Sequence, residues 1–181
     1  MQLLKTAFHP DVSPHDIAPA SDLTLIERHA ARGIVVKGED ILLLYTQRYH
    51  DYSLPGGGID DGEDKIEGLI RELSEETGAQ GVRNVTAFAR YDEYRPWYKS
   101  DADIIHMISH CYVCEIDDEL GETAFEAHEV SNGMIPRWMN IYAAIAHNED
   151  VIANSNKKGL SIERETFMLK VIADRLIEAD C

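Results

Sequence analysis

Residues 57–79 read GGIDDGEDKIEGLIRELSEETGA, and this stretch decides the fold. Its second half is helical. Ile66, Leu69, Ile70, Leu73 and Thr77 recur at intervals of three and four, the spacing of one helix face. Asp64 suits the N-cap, and Glu67 three residues on completes a capping box. Gly78 suits the stop, because glycine tolerates the left-handed backbone of a C-cap. Gly68 inside the helix costs about 1 kcal/mol relative to Ala, a cost that close packing against another element would explain. The preceding Leu54-Pro55-Gly56-Gly57-Gly58 cannot be regular structure.

On this helix Glu72, Glu75 and Glu76 stand at i, i+3 and i+4 and share one face. Three like charges there destabilise the helix unless a cation gathers them. A hard divalent ion with oxygen ligands is the natural partner. The glycine loop lets backbone groups approach the same ion and its phosphates, since no Cβ obstructs them. Glu63 precedes the helix, in place to order the loop or a water. An isolated E-x-x-E-E cluster is more often a solvated face. Eight specified positions at fixed spacing are rarer: chance supplies them in fewer than about 1 in 10,000 chains of this size.

The segment resembles the signature box of the Nudix hydrolases. It departs from that box only at Ala79, where a larger aliphatic residue is usual, and at Gly68, where Ala is usual. The resemblance implies an α/β (α+β) single domain with a mixed β-sheet packed between helices. It implies hydrolysis of a nucleoside diphosphate linked to another moiety, with Mg²⁺ as the usual cofactor and Mn²⁺ as its alternative. By the same resemblance Glu72, Glu75 and Glu76 match the metal-binding glutamates, and Gly57 the loop residue whose carbonyl is a ligand. Arg71 matches the arginine that organises the carboxylates, and Glu63 the first glutamate of the box. The implied mechanism is attack of a metal-activated water on a pyrophosphate phosphorus.

The flanking sequence agrees. Residues 33–37 and 41–45 are apolar runs around the turn Lys37-Gly38-Glu39-Asp40, a β-hairpin pattern. Residues 85–90 and 104–115 read as strands, the second apolar on both faces. Residues 140–147 read as a short helix after Arg137-Trp138, and Ser161 caps a longer one. By the resemblance the chain is expected to divide into an N-terminal extension at 1–29, a Nudix-like domain at 30–148, and a C-terminal helical extension of the same domain at 149–181. The extension, with Pro10, Pro14 and Pro19, is expected to wrap the domain or reach a partner subunit in a homodimer.

Three further groups bear on the site. Many relatives place another glutamate, as ligand or base, on a later loop; Glu126-Ala127-His128-Glu129 lies in about that place, and Glu129 is favoured over Glu126. His106, His110, Cys111 and Cys114 invite a zinc reading, but on a strand Cys111 faces away from the other three, so core packing is favoured. Residues 91–99, YDEYRPWYK, hold Tyr94, Arg95 and Trp97 between two strands. They suit either substrate binding by base stacking or packing of a loop.

Composition narrows the partners. There are 33 acidic and 17 basic residues, for a net charge of −16. That disfavours a binder of nucleic-acid polymers, whose affinity rests on Lys and Arg. It equally disfavours a polybasic membrane-surface protein. No apolar run approaches the length of a membrane span. Three cysteines and no export signal suggest a cytoplasmic protein with reduced thiols. The expected substrate is a small nucleotide, a nucleotide sugar such as ADP-ribose first and a nucleoside triphosphate second. The alternative is a non-catalytic nucleotide sensor on the same fold.

Overall fold

The apolar residues segregate onto two faces of a central layer of strands. The computed structural model describes residues 1–178. Strands β1 (Leu3–Phe8), β2 (Leu25–Ile34), β6 (Arg83–Pro96) and β7 (Ile104–Glu115) form one sheet in the order β1-β6-β7-β2. β6 and β7 are antiparallel, while each outer strand lies parallel to its neighbour. A second sheet is built on β4 (Asp40–Thr46). Its whole length pairs with β8 (Met134–Asn140). That leaves its other edge to β3 (Val36–Lys37) at one end and β5 (Asp51–Ser53) at the other.

β4 shows why the layer sits between helices. Ile41 and Leu43 join one buried cluster and Leu42 the other, so the strand is covered on both faces. Helix α1 (Lys65–Thr77) covers one side, burying Leu69 and Leu73 beside Ala31, Val35 and Tyr112. Losing either leucine to Ala would cost roughly 2–5 kcal/mol. Helices α3 (Ile141–Asn154) and α4 (Ile162–Ile172) cover the other, with Ile141, Ala144, Met168 and Leu169 against Ile34, Tyr52 and Tyr91. A short helix α2 (Ala127–Asn132) leads into β8. No helix among the described residues is long and apolar enough to cross a membrane.

The expected hairpin forms, with Lys37 opposite Asp40. α1 begins and ends where expected. Asp64 Oδ1 accepts from the N–H groups of Ile66 and Glu67 at 2.8 and 3.3 Å. Gly78 closes the helix at φ 71°. The reciprocal bond from Glu67 is not made; the box closes instead at α2, where Glu129 accepts from the Glu126 N–H at 2.7 Å.

Several boundaries move. Residues 1–29 are not outside the sheet: they contribute all of β1 and half of β2, so a line at 29/30 cuts a strand. Parallel pairing with distant partners leaves no local signal. α3 runs to Asn154, so a line at 148/149 cuts a helix. Asn148, one residue past the expected end of this helix, is buried and pairs with both backbone groups of Tyr52, at 2.9 and 2.8 Å. β6 reaches Pro96, so Tyr94 and Arg95 lie on a strand rather than in a loop. Strands on both sides satisfy its backbone, which overrides its polar composition. Ser161 is the N-cap of α4 without a side-chain bond. The last three residues of the expected C-terminal part, 179–181, lie outside the described residues.

Cys111 and Cys114 are buried in opposite clusters, as the strand alternation requires. His106 bonds Asp92 and Glu27 at 3.1 and 3.2 Å, and His110 meets His29 at 3.1 Å. Burial pushes the His110 pKa down to about 4. Its folded value lies below its unfolded one, so its contribution is complete at neutral pH and declines as pH falls through about 6.5 towards 4. Discounted for partial exposure, the loss between pH 7.5 and 5 is about 1 kcal/mol. Urea unfolding at both pH values should show His110→Gln losing less stability on acidification than the wild type by that amount. Equal losses would contradict this account.

Candidate active site

The site lies where the glycine loop passes between β2 and α1. The Ala31 and Gly33 N–H groups donate to the Gly57 and Pro55 carbonyls at 3.0 and 2.9 Å, fastening the loop to β2. Gly56 has φ 125°, and a Cβ there would fall 2.1 Å from the Ala31 carbonyl oxygen. No other residue fits. A Cβ on Gly57 would fall 2.4 Å from Glu72 Oε2, so the Glu72 carboxylate rests directly on the loop backbone. Gly68 is explained in the same way. Its missing Cβ leaves room for Ile59 Cδ1 and Glu63 Oε2, which would otherwise lie at 2.6 and 2.9 Å.

Arg71 gathers the outer carboxylates. It donates to both Glu63 oxygens at 2.9 and 3.0 Å, to Glu72 at 2.8 Å, to Glu75 at 3.3 Å and to the Gly58 carbonyl at 3.0 Å. The Arg71 bonds and the Asp60 N–H hold the Glu63 carboxyl down at about 2. The cation expected to gather the charged helix face is thus, in part, a side chain of the same helix.

The inner carboxylates face a cleft of about 340 Å³. Glu72, Glu76 and Glu129 line it together with residues 56–58. Glu76 is only 4% exposed and accepts from the Gly56 N–H. Burial pushes its pKa up, and the charges of Glu129 and Glu72 push the same way. The Arg32 charge and the Gly56 bond oppose the shift. Burial also raises Glu72, against the pull of Arg71. Glu129 spends one oxygen on the Glu126 N–H and keeps the other. The Gly57 carbonyl serves Ala31 and retains a second lone pair.

The donor set fits a hard divalent cation: carboxylate and carbonyl oxygens, in a cleft with excess negative charge. Among the described residues no three His, Cys, Asp or Glu groups converge into a ready-made cage. Glu75 is the expected residue that stands apart. It is turned towards Arg71 and does not line the cleft.

Other lining residues had no sequence signature. Arg32 of β2, Asp51 of β5, and Arg164 and Glu165 of α4 face the same cleft. Arg164 is buried and bonds Glu165 Oε1 through Nε and Nη2 at 3.0 and 2.7 Å, and Glu93 through Nη1. Burial, then the Glu165 charge, pushes Asp51 up to about 6. A polar residue within the apolar run at 30–36 was the available clue for Arg32.

The family is shown by a NUDIX domain model that matches residues 27–158. The chain belongs to the Nudix family. Curated relatives include an RNA pyrophosphohydrolase of Aeromonas hydrophila, 44% identical over 69 residues, or 37% of each chain. Another is an RNA pyrophosphohydrolase of Bartonella quintana, 38% identical over 56 residues, covering 31% of this chain and 29% of that one. The matched parts span well under half of either relative. The crystal structure of a MutT protein from Bacillus halodurans superposes with a TM-score of 0.53 at 18% identity, covering 79% of this chain and 80% of that one. That likeness supports the Nudix fold. Nudix hydrolases as a family generally use divalent metals.

The substrate-binding expectations separate. Tyr94 and Arg95 line a second cleft, also about 340 Å³, with Phe8, His9 and Lys158, and Arg164 lines both clefts. Both faces of the Tyr94 ring are covered, by Phe8 at 5.1 Å and His106 at 4.3 Å, so it offers an edge and not a stacking face. Trp97 lines neither cleft; its indole N–H donates to Asp101 at 2.8 Å, and Lys99 lies over its ring.

If Arg71 organises the carboxylates, its removal must release Glu63. In Arg71→Met the Glu63 carboxyl should titrate well above its value of about 2 but still below 4.5, since the Asp60 N–H remains, read by carboxyl-carbon NMR. An unmoved titration would mean that the Asp60 N–H alone sets it.

Proposed function

We propose that this chain hydrolyses the pyrophosphate linkage of a nucleoside diphosphate derivative with the help of a divalent cation, Mg²⁺ first and Mn²⁺ as its replacement. The observation that carries the reading is the meeting of Glu72, Glu76 and Glu129 in one cleft with the glycine loop. When bound, the cation supplies an acidified water and offsets charge on the phosphates. Glu72, Glu76 and the Gly57 carbonyl would hold it. Glu129, with one free oxygen, would accept the proton of the attacking water. Arg71 and Glu63 act through the others, fixing Glu72 and the loop.

A nucleotide sugar such as ADP-ribose is the favoured substrate and a nucleoside triphosphate the second. The adjoining cleft at Arg95 supports a substrate with a bulky group beyond its phosphates. The names of the two curated relatives add a 5′-triphosphorylated RNA to the compounds worth testing, against which the net charge of −16 weighs.

The experiment is product release from these compounds with Mg²⁺, with Mn²⁺ and with a chelator. Turnover should require the metal. Glu76→Gln should fold and lose at least ~10²–10³ in turnover, since metal stabilisation is worth several kcal/mol. Turnover that survives chelation would sink the reading. Tight binding without turnover of any compound would favour the sensor.

Recognition is tested separately. Arg95→Gln should raise KM roughly tenfold with kcat little changed, the pattern of lost uniform binding. Glu93 keeps its bond to Arg164 in that variant, which protects the fold. Trp97→Ala, outside both clefts, should leave KM within about twofold. A KM that rises for Trp97→Ala and not for Arg95→Gln would move recognition out of the second cleft.

A further inference from the structure

Arg32 is a cation without a hydrogen-bond or ion-pair partner among the described residues, in an acidic cleft. It lies on β2 between Ala31 and Gly33, whose N–H groups are both tied to the glycine loop. The backbone that carries it is therefore held against the loop. A Cβ on Gly56 would lie 3.0 Å from the Arg32 Cα, so the loop packs directly over this residue. The side chain lines the same cleft as Glu72, Glu76 and Glu129.

Its donors are unspent. Nε is buried and has no hydrogen-bond partner, and the guanidinium pairs with no carboxylate among the described residues. The contrast with its neighbours is informative. Arg71 makes five bonds to carboxylates and a carbonyl. Arg164 is taken up by Glu93 and Glu165. An arginine retained only to neutralise Glu72 and Glu76 would close onto one of them, because a buried donor left unpaired is costly. Arg32 is near enough for its charge to lower both carboxyls against the effect of burial, yet it bonds neither.

We propose that Arg32 is a phosphate-binding residue, whose guanidinium takes a non-bridging oxygen of the substrate's diphosphate at the β2 wall of the cleft. The planar fork of Arg matches two phosphate oxygens, and such charge-assisted bonds are roughly twice as strong as neutral ones. The electrostatics also require it. Six carboxylates line the cleft, those of Asp51, Glu72, Glu76, Glu126, Glu129 and Glu165, and a pyrophosphate brings further negative charge that one divalent cation does not offset. The proposal rests on the hydrolase reading of the cleft and names how that cleft tolerates an anion.

The test sets metal binding against phosphate binding in the full chain. Mn²⁺ alone is titrated by electron paramagnetic resonance. The non-hydrolysable diphosphate α,β-methylene ADP is titrated by calorimetry at saturating Mn²⁺. Removing a positive charge beside carboxylates favours a cation, so Arg32→Gln should bind Mn²⁺ as well as the wild type or a few-fold tighter. The same variant should bind the diphosphate at least about tenfold more weakly. Arg32→Lys keeps the charge and loses the fork; it should fall between the two with Mn²⁺ affinity unchanged, and it decides the matter if Arg32→Gln fails to fold.

Undiminished diphosphate affinity in either folded variant would overturn the proposal. Parallel weakening of Mn²⁺ and diphosphate would also overturn it, since that marks a residue that only shapes the cleft. If the wild type hydrolyses or binds these compounds and Arg32→Gln matches it, the Arg32 assignment alone falls. If the wild type does neither, the reading of the cleft falls first and this one with it.

Discussion

Much of the structure depends on a single close approach, that of the loop at 56–58 to β2 on one side and α1 on the other. Two missing side chains make it possible. At Gly56 even a methyl group would meet the backbone of β2, and at Gly57 it would meet the Glu72 carboxylate. The two inner acids are therefore placed by main chain: Glu72 lies against the Gly57 Cα, and Glu76 takes the Gly56 N–H. Groups held by backbone that is itself tied to a strand cannot drift, which is what a reactive centre needs of its supports. Gly68 extends the same logic to the opening of α1, where Ile59 and Glu63 occupy the space its side chain would fill.

That approach brings together charges that repel. Glu76 is buried beside two other carboxylates, with the Arg32 charge and the Gly56 N–H acting in its favour. Arg71 relieves the outer group, Glu63 and Glu75, but it touches the inner group only through Glu72. The protein keeps an energetically unfavourable cluster at its cleft and surrounds it with a well-filled core. Leu69 and Leu73, fully buried on the inward face of α1 beside Glu76, anchor the helix that carries the acids. A site left short of positive charge in the free protein is one that gains most from binding a cation, the usual exchange of local stability for function.

The parts legible in the sequence were those set by local rules. The span of α1, its cap residues Asp64 and Gly78 and the first hairpin follow from spacing and turn chemistry, and the box carried the family; of the expected apolar face Leu69, Leu73 and Thr77 are buried, while Ile66 and Ile70 are exposed. What escaped was set by distant partners. β1 has no pattern of its own and exists because β6 offers an edge. Tyr94 and Arg95 read as loop residues because polar strands resemble loops until both neighbours are known. Asn148 carries no local signal of its role as a buried clasp on β5. Arg164 and Glu165 carry no motif at all; they matter because α4 crosses behind the cleft, more than 80 residues after the box. Glu75 shows the converse: its position in the box was plain, while its turn towards Arg71 depended on geometry that spacing does not encode.

Arg164 gives the division of labour between the two clefts a physical basis. Buried and held on both sides by Glu93 and Glu165, it forms wall rather than contact surface. Through Glu93 it reaches Arg95 in the second cleft, at 2.7 Å from Glu93. Through Glu165 it reaches the Leu54 N–H, which accompanies the glycine loop of the first. A chain of charge-assisted bonds thus ties the residue suited to meet the substrate's far end to the backbone that places the acids. Such a chain is stiff, because each charge is satisfied only in the observed arrangement. Recognition elements on one side of the wall vary at little risk to the chemistry on the other so long as Arg164 keeps both partners.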